Sequence, residues 1–254
     1  MSRALSRSKR RAARRRLHLL HWLRVCFIAL LLPAGLGLGV LMFLGGSGWL
    51  GPELAAEEVR SVMSQGLSLS REDEWCLVLV NAGHSLPADY APELTMLSNG
   101  VYVDERILPA VEELFHAARG DGVYPVVQEG YRTGQQQKRV REAIIDSYRA
   151  RGYATLDAIA AAGRVEAEAG HSEHQLGIAA DIGGDGVNSS DAEVHRWLRE
   201  HSWQYGFVLR YPADKTEQTG MEYAPEHYRY VGREAAAAMH EQGLCLEEYL
   251  LTME

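Results

Sequence analysis

Cysteine is scarce in this sequence, which holds three among 254 residues: Cys26, Cys76 and Cys245. So few thiols exclude a Cys-rich zinc site and a small domain that depends on many disulfides. Cys76 and Cys245 could form one disulfide in an oxidising compartment, and two free buried thiols are an equal alternative. The function of this chain therefore has to be sought in other side chains.

Acidic residues are absent from the first 50 positions, where nine Lys or Arg residues lie instead. Behind these cations, residues 25–44 form an uncharged, mostly apolar run of 20 residues. A run of that length matches the roughly 30 Å hydrocarbon core of a bilayer, whereas the apolar region of a cleaved signal peptide has roughly 7–15 residues. The positive-inside rule then predicts a cytoplasmic N-terminus and a chain that continues outside the cytoplasmic membrane.

The rest of the chain is strongly acidic. Removing the nine N-terminal cations from the total of 26 leaves 17 Lys and Arg against all 34 Asp and Glu. A surplus of negative charge repels phosphate backbones, so we expect no nucleic-acid partner. We interpret the basic tail as a topology determinant that also contacts anionic lipids.

These patterns divide the chain into four regions. We predict a basic cytoplasmic tail at residues 1–24, a transmembrane signal anchor at 25–44, a Gly- and Ser-rich stalk at 45–74 and an extracytoplasmic domain at 75–254. The last region has about 180 residues, which is enough for one domain with its own hydrophobic core.

Helix and strand signals are mixed in this domain. Apolar residues recur at helical spacing from Ile107 to Ala118, a polar helix is predicted at residues 135–149, and Ser190 is a candidate cap for a helix at 191–203. Short strands are predicted at residues 123–127, 178–182, 207–210 and 227–231, and an Ala-rich helix follows the last of them. Because strands and helices do not alternate regularly, we expect an α+β fold with a small antiparallel sheet and flanking helices.

The sequence SEHQLGIAAD at residues 172–181 carries candidate metal ligands. His174 and Asp181 suit a zinc ion, and His227 lies downstream as a third candidate. Three such ligands leave the fourth position of a tetrahedral zinc ion free, as a hydrolytic site requires. We expect His174 in a turn and Asp181 at the end of the strand predicted at 178–182, with Gly177 relieving crowding between them. One His and one Asp at this spacing are weak evidence by themselves.

The wider sequence strengthens this interpretation. The stretch SEHQLGIAADI resembles the SxHxxGxAxD signature of the VanY-type zinc D-alanyl-D-alanine carboxypeptidases. That family is related to the D,D-dipeptidases of vancomycin resistance and to the L,D-carboxypeptidases that trim peptidoglycan stems. Further segments resemble the family in the same order, at residues 79–94, 130–137, 205–212 and 227–232.

The resemblance implies roles for individual residues. By it, the zinc ligands are His174, Asp181 and His227. Arg132 matches an arginine that stabilises charge at the reacting amide, a role that suits an always-cationic side chain. The residues that match substrate-binding positions are Ser172, Gln137 and Tyr131.

The chain departs from the family at a position that matters for catalysis. In the family the third ligand lies in the sequence Glu-Pro-Trp-His, whose glutamate takes a proton from the attacking water. Here residues 224–227 read Ala-Pro-Glu-His, and alanine cannot accept a proton. In an extended strand, Glu222 and Glu226 both project to the same side as position 224. We favour Glu226 as the replacement base because it adjoins His227, and Glu222 is the alternative.

A second departure lies at Glu129, where the family usually has serine before Gly-Tyr-Arg. Its negative charge would lie near a substrate that is itself a carboxylate, so the substrate preference could differ from that of the family.

The sequence thus predicts a membrane-anchored zinc peptidase that removes a C-terminal D-amino acid from peptidoglycan stem peptides. The competing hypothesis is a catalytically inactive, zinc-stabilised module that binds the cell wall. Several finer choices stay open: D,D or L,D specificity, carboxypeptidase or dipeptidase action, and antibiotic resistance or wall remodelling.

Overall fold

The structure is a computed structural model that describes residues 74–87 and 89–253. The basic tail at 1–24, the predicted span at 25–44 and almost all of the predicted stalk lie outside the described residues. Among the residues that are described, no helix is both long and apolar enough to cross a membrane.

The strands of the described region form two antiparallel sheets. A small hairpin pairs β1 (Leu94–Met96) with β2 (Tyr102–Asp104). The larger sheet has four strands in the order β3-β4-β6-β5. Its strands are β3 (Pro125–Glu129), β4 (Ala179–Gly184), β5 (Phe207–Tyr211) and β6 (Ala224–Tyr230). The strands β4 and β6 are central, so each is held by a neighbour on both sides.

Seven α-helices accompany these strands within the described residues. They are α1 (Leu108–Gly120), α2 (Gly134–Ala150), α3 (Thr155–Ala162), α4 (Asp191–His201), α5 (Thr216–Thr219), α6 (Arg233–Gln242) and α7 (Leu246–Leu251). Short 3₁₀ helices lie at Glu74–Cys76, Glu105–Ile107, Glu173–Leu176 and Ser202–Tyr205. The α+β class predicted from the sequence is confirmed.

Among the described helices, α2 and α4 begin at hydroxyl side-chain caps. Thr133 caps α2 and forms a capping box with Gln136, and Ser190 does the same for α4 with Glu193. Each box satisfies backbone N–H groups that the first helical turn leaves without a partner. The predicted cap at Ser190 is therefore confirmed.

The hydrophobic core lies between the larger sheet and the helices that pack on it, α1, α4 and α6. Its fully buried side chains include Leu114, Ile178, Ile182, Leu198 and Phe207. Burying a side chain of this size contributes roughly 1.5–3 kcal/mol. The packing fixes the two central strands, which supply two of the three candidate metal ligands.

The strand predicted at residues 227–231 begins earlier in the structure, at Ala224. Pro225 cannot donate a hydrogen bond and normally argues against a central strand. It is accommodated because β4 pairs with β6 no earlier than His227, and because the pairing with β5 is irregular between Leu209 and Tyr211. The prediction of this strand's start was wrong for that reason. The helix predicted at 191–203 likewise ends at His201, where a 3₁₀ turn takes over.

Candidate metal centre and active site

The pairing of β4 with β6 brings two of the candidate ligands together. Asp181 and His227 are direct partners in the register of these antiparallel strands. His174 lies in the 3₁₀ helix that precedes β4, and Gly177 ends that helix with a φ of 76°. Glycine adopts this left-handed backbone conformation with little steric cost. A Cβ atom at position 177 would lie 3.1 Å from the Asp104 backbone nitrogen. The turn predicted at His174 and the strand predicted at Asp181 are confirmed, but Asp181 lies within β4 and not at its end.

The three candidate ligands form one cluster. One ligand atom from each of His174, Asp181 and His227 lies within 4.8 Å of the others. Asp181 Oδ1 is 2.8 Å from His227 Nδ1, and Asp181 Oδ2 is 3.5 Å from His174 Nε2. Both imidazoles are buried, and their ring centroids are 4.8 Å apart. Two nitrogens and one carboxylate oxygen are the ligand set of many hydrolytic zinc sites.

The hydrogen bond of His174 and the position of Asp181 indicate which nitrogen of each histidine faces the metal cluster. His174 Nδ1 lies 2.8 Å from the carbonyl oxygen of Gly130, which can only accept, so this nitrogen carries the proton. His227 Nε2 faces the carboxylate of Glu173 at 3.4 Å. The remaining nitrogens, Nε2 of His174 and Nδ1 of His227, both point at Asp181. The residues present therefore fit a zinc ion.

The charges of this cluster are strongly coupled. Burial raises the pKa of Asp181, but hydrogen bonds from His174 and His227 outweigh it and hold that pKa well below its usual range. Burial lowers the pKa of His227, whereas Asp181 and Glu173 raise it, to about 9 on balance. These opposite pKa shifts follow from the short contact between Asp181 Oδ1 and His227 Nδ1, which lie 2.8 Å apart.

Arg132 lies beside the cluster and is held by several acceptors. Its Nε and Nη2 each donate to Glu129 at 2.6 Å, and its Nη1 donates to Glu166 at 3.0 Å and to Gln137 at 3.1 Å. Its Nη2 is also 3.8 Å from Asp181 Oδ2. The hydrogen bonds from Arg132 lower the pKa of Glu129. The Nε and Nη2 atoms of Arg132 are therefore both already paired with the Glu129 carboxylate.

An open cleft lies next to the three candidate ligands. Its other walls include Arg132, Val165, Glu166, Ala167, Ser172, Glu173, Tyr211, Met221, Ala224 and Glu226. The ring of Tyr211 stacks on His227, with centroids 4.9 Å apart. Acidic side chains outnumber basic ones along these walls, which gives the cleft a negative character.

The two candidate replacement bases lie in different environments. Glu226 is partly buried and lines the cleft together with Ala224. Its carboxylate has no hydrogen bond or ion pair with any residue that the structure describes. Glu222 precedes β6 and is 3.4 Å from Arg164, with both side chains more than half exposed at 53% and 58%. Positions 224 and 226 thus both line the cleft, whereas Glu222 is not among its lining residues.

The three residues that match substrate-binding positions also differ in their placement. Ser172 is buried and lines the cleft. Gln137 is fully buried behind Arg132, and its amide nitrogen donates to Glu166 and to the Ala167 carbonyl, both at 2.7 Å. Tyr131 is half-buried and is not among the residues that line the cleft. The structure thus makes Gln137 a support for Arg132 and Glu166.

Sequence reasoning missed two carboxylates of this site. Glu173 is fully buried at 0% side-chain exposure and belongs to the cleft wall. Burial raises its pKa, but Arg210 and Arg229 outweigh that effect and hold the pKa well below its usual range. Glu166, the second, comes from a stretch with no recognisable motif. Glu173 at least lay inside the SEHQLG motif, where its place beside a candidate ligand was a signal.

Comparisons with known proteins agree with this geometry. Residues 100–233 match the family model described as VanY, D-alanyl-D-alanine carboxypeptidase. A D-alanyl-D-alanine carboxypeptidase of Enterococcus faecalis is 52% identical over 181 residues, which cover 71% of this chain and 68% of that relative.

Solved structures show the same likeness. The structure of VanYB in complex with D-alanine-D-alanine has a TM-score of 0.70 and 52% identity, covering 71% of this chain and 99% of that one. A mutant of the D,D-pentapeptidase VanY in complex with Zn(II) has a TM-score of 0.68 and 53% identity, covering 69% of this chain and 99% of that one. This chain therefore belongs to the VanY family of D-alanyl-D-alanine carboxypeptidases, and it is a zinc metallopeptidase.

Proposed function

We propose that this protein is a membrane-anchored carboxypeptidase that removes the terminal D-alanine of peptidoglycan stem peptides outside the cytoplasmic membrane. The observation that carries the proposal is the cluster of His174, Asp181 and His227 at the wall of an open cleft. A zinc ion bound there would lower the pKa of a water molecule and polarise the scissile carbonyl.

Within the cleft, Glu226 is the group that we propose as general base. It is the cleft carboxylate that has no partner among the described residues, whereas Glu166 and Glu173 are engaged by arginines. The attacking water gives its proton to Glu226 as its oxygen bonds to the carbonyl carbon. Glu226 then returns the proton to the leaving amine as the C–N bond breaks, which releases D-alanine and a shortened peptide.

Arg132 is proposed to stabilise the negative charge that develops on the carbonyl oxygen. Its guanidinium lies beside the metal cluster, 3.8 Å from Asp181 Oδ2, and is fixed by Glu129, Glu166 and Gln137. A charge held in place before the reaction needs no reorganisation when the transition state forms. The carboxylates of Glu129 and Glu166 also offset part of the positive charge of Arg132, so its contribution depends on them.

The relative with 52% identity supports D,D rather than L,D specificity, because it is named for D-alanyl-D-alanine. We therefore propose a pentapeptide stem that ends in D-alanyl-D-alanine as the preferred substrate.

Anchoring to the membrane is proposed on the sequence alone. Residues 25–44 are uncharged and apolar, and the nine cations precede them, which supports a single span with the peptidase domain outside.

The inactive cell-wall binding module is the less supported alternative, because Glu226 lines the cleft and offers a carboxylate that has no partner among the described residues. The deciding experiment measures D-alanine release by the purified full-length protein from pentapeptide and tetrapeptide stems. We expect release from the pentapeptide that a chelator abolishes and added zinc restores. No release from either stem in the presence of zinc would contradict the proposal.

A further inference from the structure

Glu173 lies directly behind the candidate metal ligand His227. Its Oε2 is 3.4 Å from His227 Nε2, the nitrogen that faces away from Asp181. Its Oε1 accepts hydrogen bonds from Arg210 Nε and Arg229 Nη1, both at 2.8 Å. One carboxylate oxygen is thus committed to two arginines, and the other is directed at the histidine.

The two arginines are themselves fixed. Arg210 donates from Nη1 and Nη2 to Glu247 in α7, at 2.8 Å and 2.6 Å. Arg229 donates from Nη2 to the carbonyl oxygens of Cys76 and Val78, both at 2.9 Å. Because both guanidiniums are fully buried and anchored on β5 and β6, Glu173 cannot turn away from His227 without leaving a charge unpaired.

The composition of this cluster is informative. Two arginines and two glutamates balance in charge, and the side chains of Arg210, Arg229 and Glu173 are fully buried while that of Glu247 is 14% exposed. Burying charged groups costs more than burying apolar side chains of the same volume. Beside a metal site such a cluster can orient a ligand. A metal-ligating imidazole is oriented by the acceptor that its other ring nitrogen donates to. His174 has a backbone carbonyl in that position, whereas His227 has the carboxylate of Glu173.

We propose that Glu173 is a positioning residue that accepts the Nε2 proton of His227 and thereby presents Nδ1 to zinc. The stacked ring of Tyr211 fixes the imidazole plane, and Glu173 fixes which nitrogen faces the metal. Arg210 and Arg229 keep the carboxylate in place. This inference rests on the zinc site of the proposed function and adds a second layer of residues to it.

The variant Glu173→Gln tests the proposal with almost no change in volume. Both arginines can only donate, so the amide oxygen of the glutamine must face them. The NH2 group of the glutamine then faces His227 Nε2, and an NH2 group cannot accept a hydrogen bond from that nitrogen. We expect the zinc affinity to fall by about 10-fold to 100-fold, the usual effect of losing such an outer partner.

The matched control is Glu247→Gln. It removes the same charge from the same Arg210 but has no contact with His227. Zinc affinity is measured on the full-length protein in detergent by competition with a chromophoric chelator, and the unfolding temperature of the zinc-free proteins reports on folding. We expect the control to stay within about threefold of wild type, well short of the loss expected for Glu173→Gln. An equal loss in both variants, or none in Glu173→Gln, would overturn the proposal.

A measurement on the wild type covers the case in which Glu173→Gln does not fold. Long-range ¹H–¹⁵N NMR of the zinc-loaded protein identifies the protonated nitrogen of each histidine. We expect the proton on Nε2 of His227 and on Nδ1 of His174. A proton on Nδ1 of His227 would refute the positioning role while leaving the zinc site intact. A wild type that binds no zinc would contradict the proposed function itself, and this role with it.

Discussion

Asp181 and His227 face each other across the pairing of β4 with β6, with Asp181 Oδ1 2.8 Å from His227 Nδ1. This register places a carboxylate and an imidazole at one point of the two central strands, each of which has a neighbouring strand on both sides. His174, from the turn before β4, completes the cluster. The metal site is therefore built mainly on strands, which hold ligands more firmly than loops do.

Removing any one ligand should remove the metal. We expect His174→Ala, Asp181→Ala and His227→Ala each to lose the single zinc ion per chain that the wild type binds, since two ligands form a weak site. Elemental analysis after dialysis against a weak chelator measures the zinc content. The control is His195→Ala, which we expect to keep its zinc. The Nε2 of His195 lies 2.9 Å from the carbonyl oxygen of Ile182 and is not part of the metal cluster. Full zinc occupancy in the three ligand variants would sink the assignment.

Arg132→Ala should leave zinc bound and slow catalysis. The guanidinium is the basic group beside the cluster, so its loss should lower kcat/KM on a pentapeptide stem by about two orders of magnitude. The control Arg149→Ala removes a cation from the surface of α2 and should have no effect. Near-normal turnover in Arg132→Ala would rule out the proposed role.

Glu129→Ser should improve binding of a substrate that carries a carboxylate. Glu129 occupies Nε and Nη2 of Arg132, and its side chain is 44% exposed. Its removal frees positive charge beside the cleft, so we expect KM for the pentapeptide to fall by about twofold to fivefold, in keeping with one partly exposed ion pair. Steady-state kinetics at constant ionic strength provide the test, and a rise in KM would show that Glu129 supports binding.

The convergence of the three ligands could be predicted because the sequence carries the family motif. The residues that surround the ligands, Glu173 with Arg210 and Arg229, could not be predicted in this way. In the sequence nothing about Glu173 indicates its contact with His227. Its partners Arg210 and Arg229 lie 37 and 56 residues away along the chain. Such pairs depend on the strand register, which local patterns do not specify when strands come from distant segments.

The start of β6 was hidden for a related reason. Pro225 argues against a strand because it has no backbone N–H, and it is accommodated because β4 pairs with β6 no earlier than His227 and the pairing with β5 is irregular. That same stretch decides where Glu226 and Glu222 lie. From the sequence, the candidates for the general base are Glu226 and Glu222. The structure distinguishes them, because Glu226 lines the cleft whereas Glu222 lies beside Arg164.

The topology of the chain is open to a direct test. With nine cations ahead of the apolar span at 25–44, protease added to intact protoplasts should digest the peptidase domain. Immunoblotting of the domain before and after lysis gives the readout. Survival in intact protoplasts followed by cleavage after lysis would reverse the predicted orientation.

The most direct test of the central claim compares D-alanine release by wild type, Glu226→Gln and Glu222→Gln on a pentapeptide stem, with zinc content measured in parallel. General-base catalysis contributes roughly 10²–10⁴-fold, so we expect Glu226→Gln to lose kcat by that order with zinc retained, while Glu222→Gln stays close to wild type. Unchanged activity in both variants would show that neither carboxylate is the base. An inert wild type that Ala224→Glu activates would contradict the account and identify a binding module.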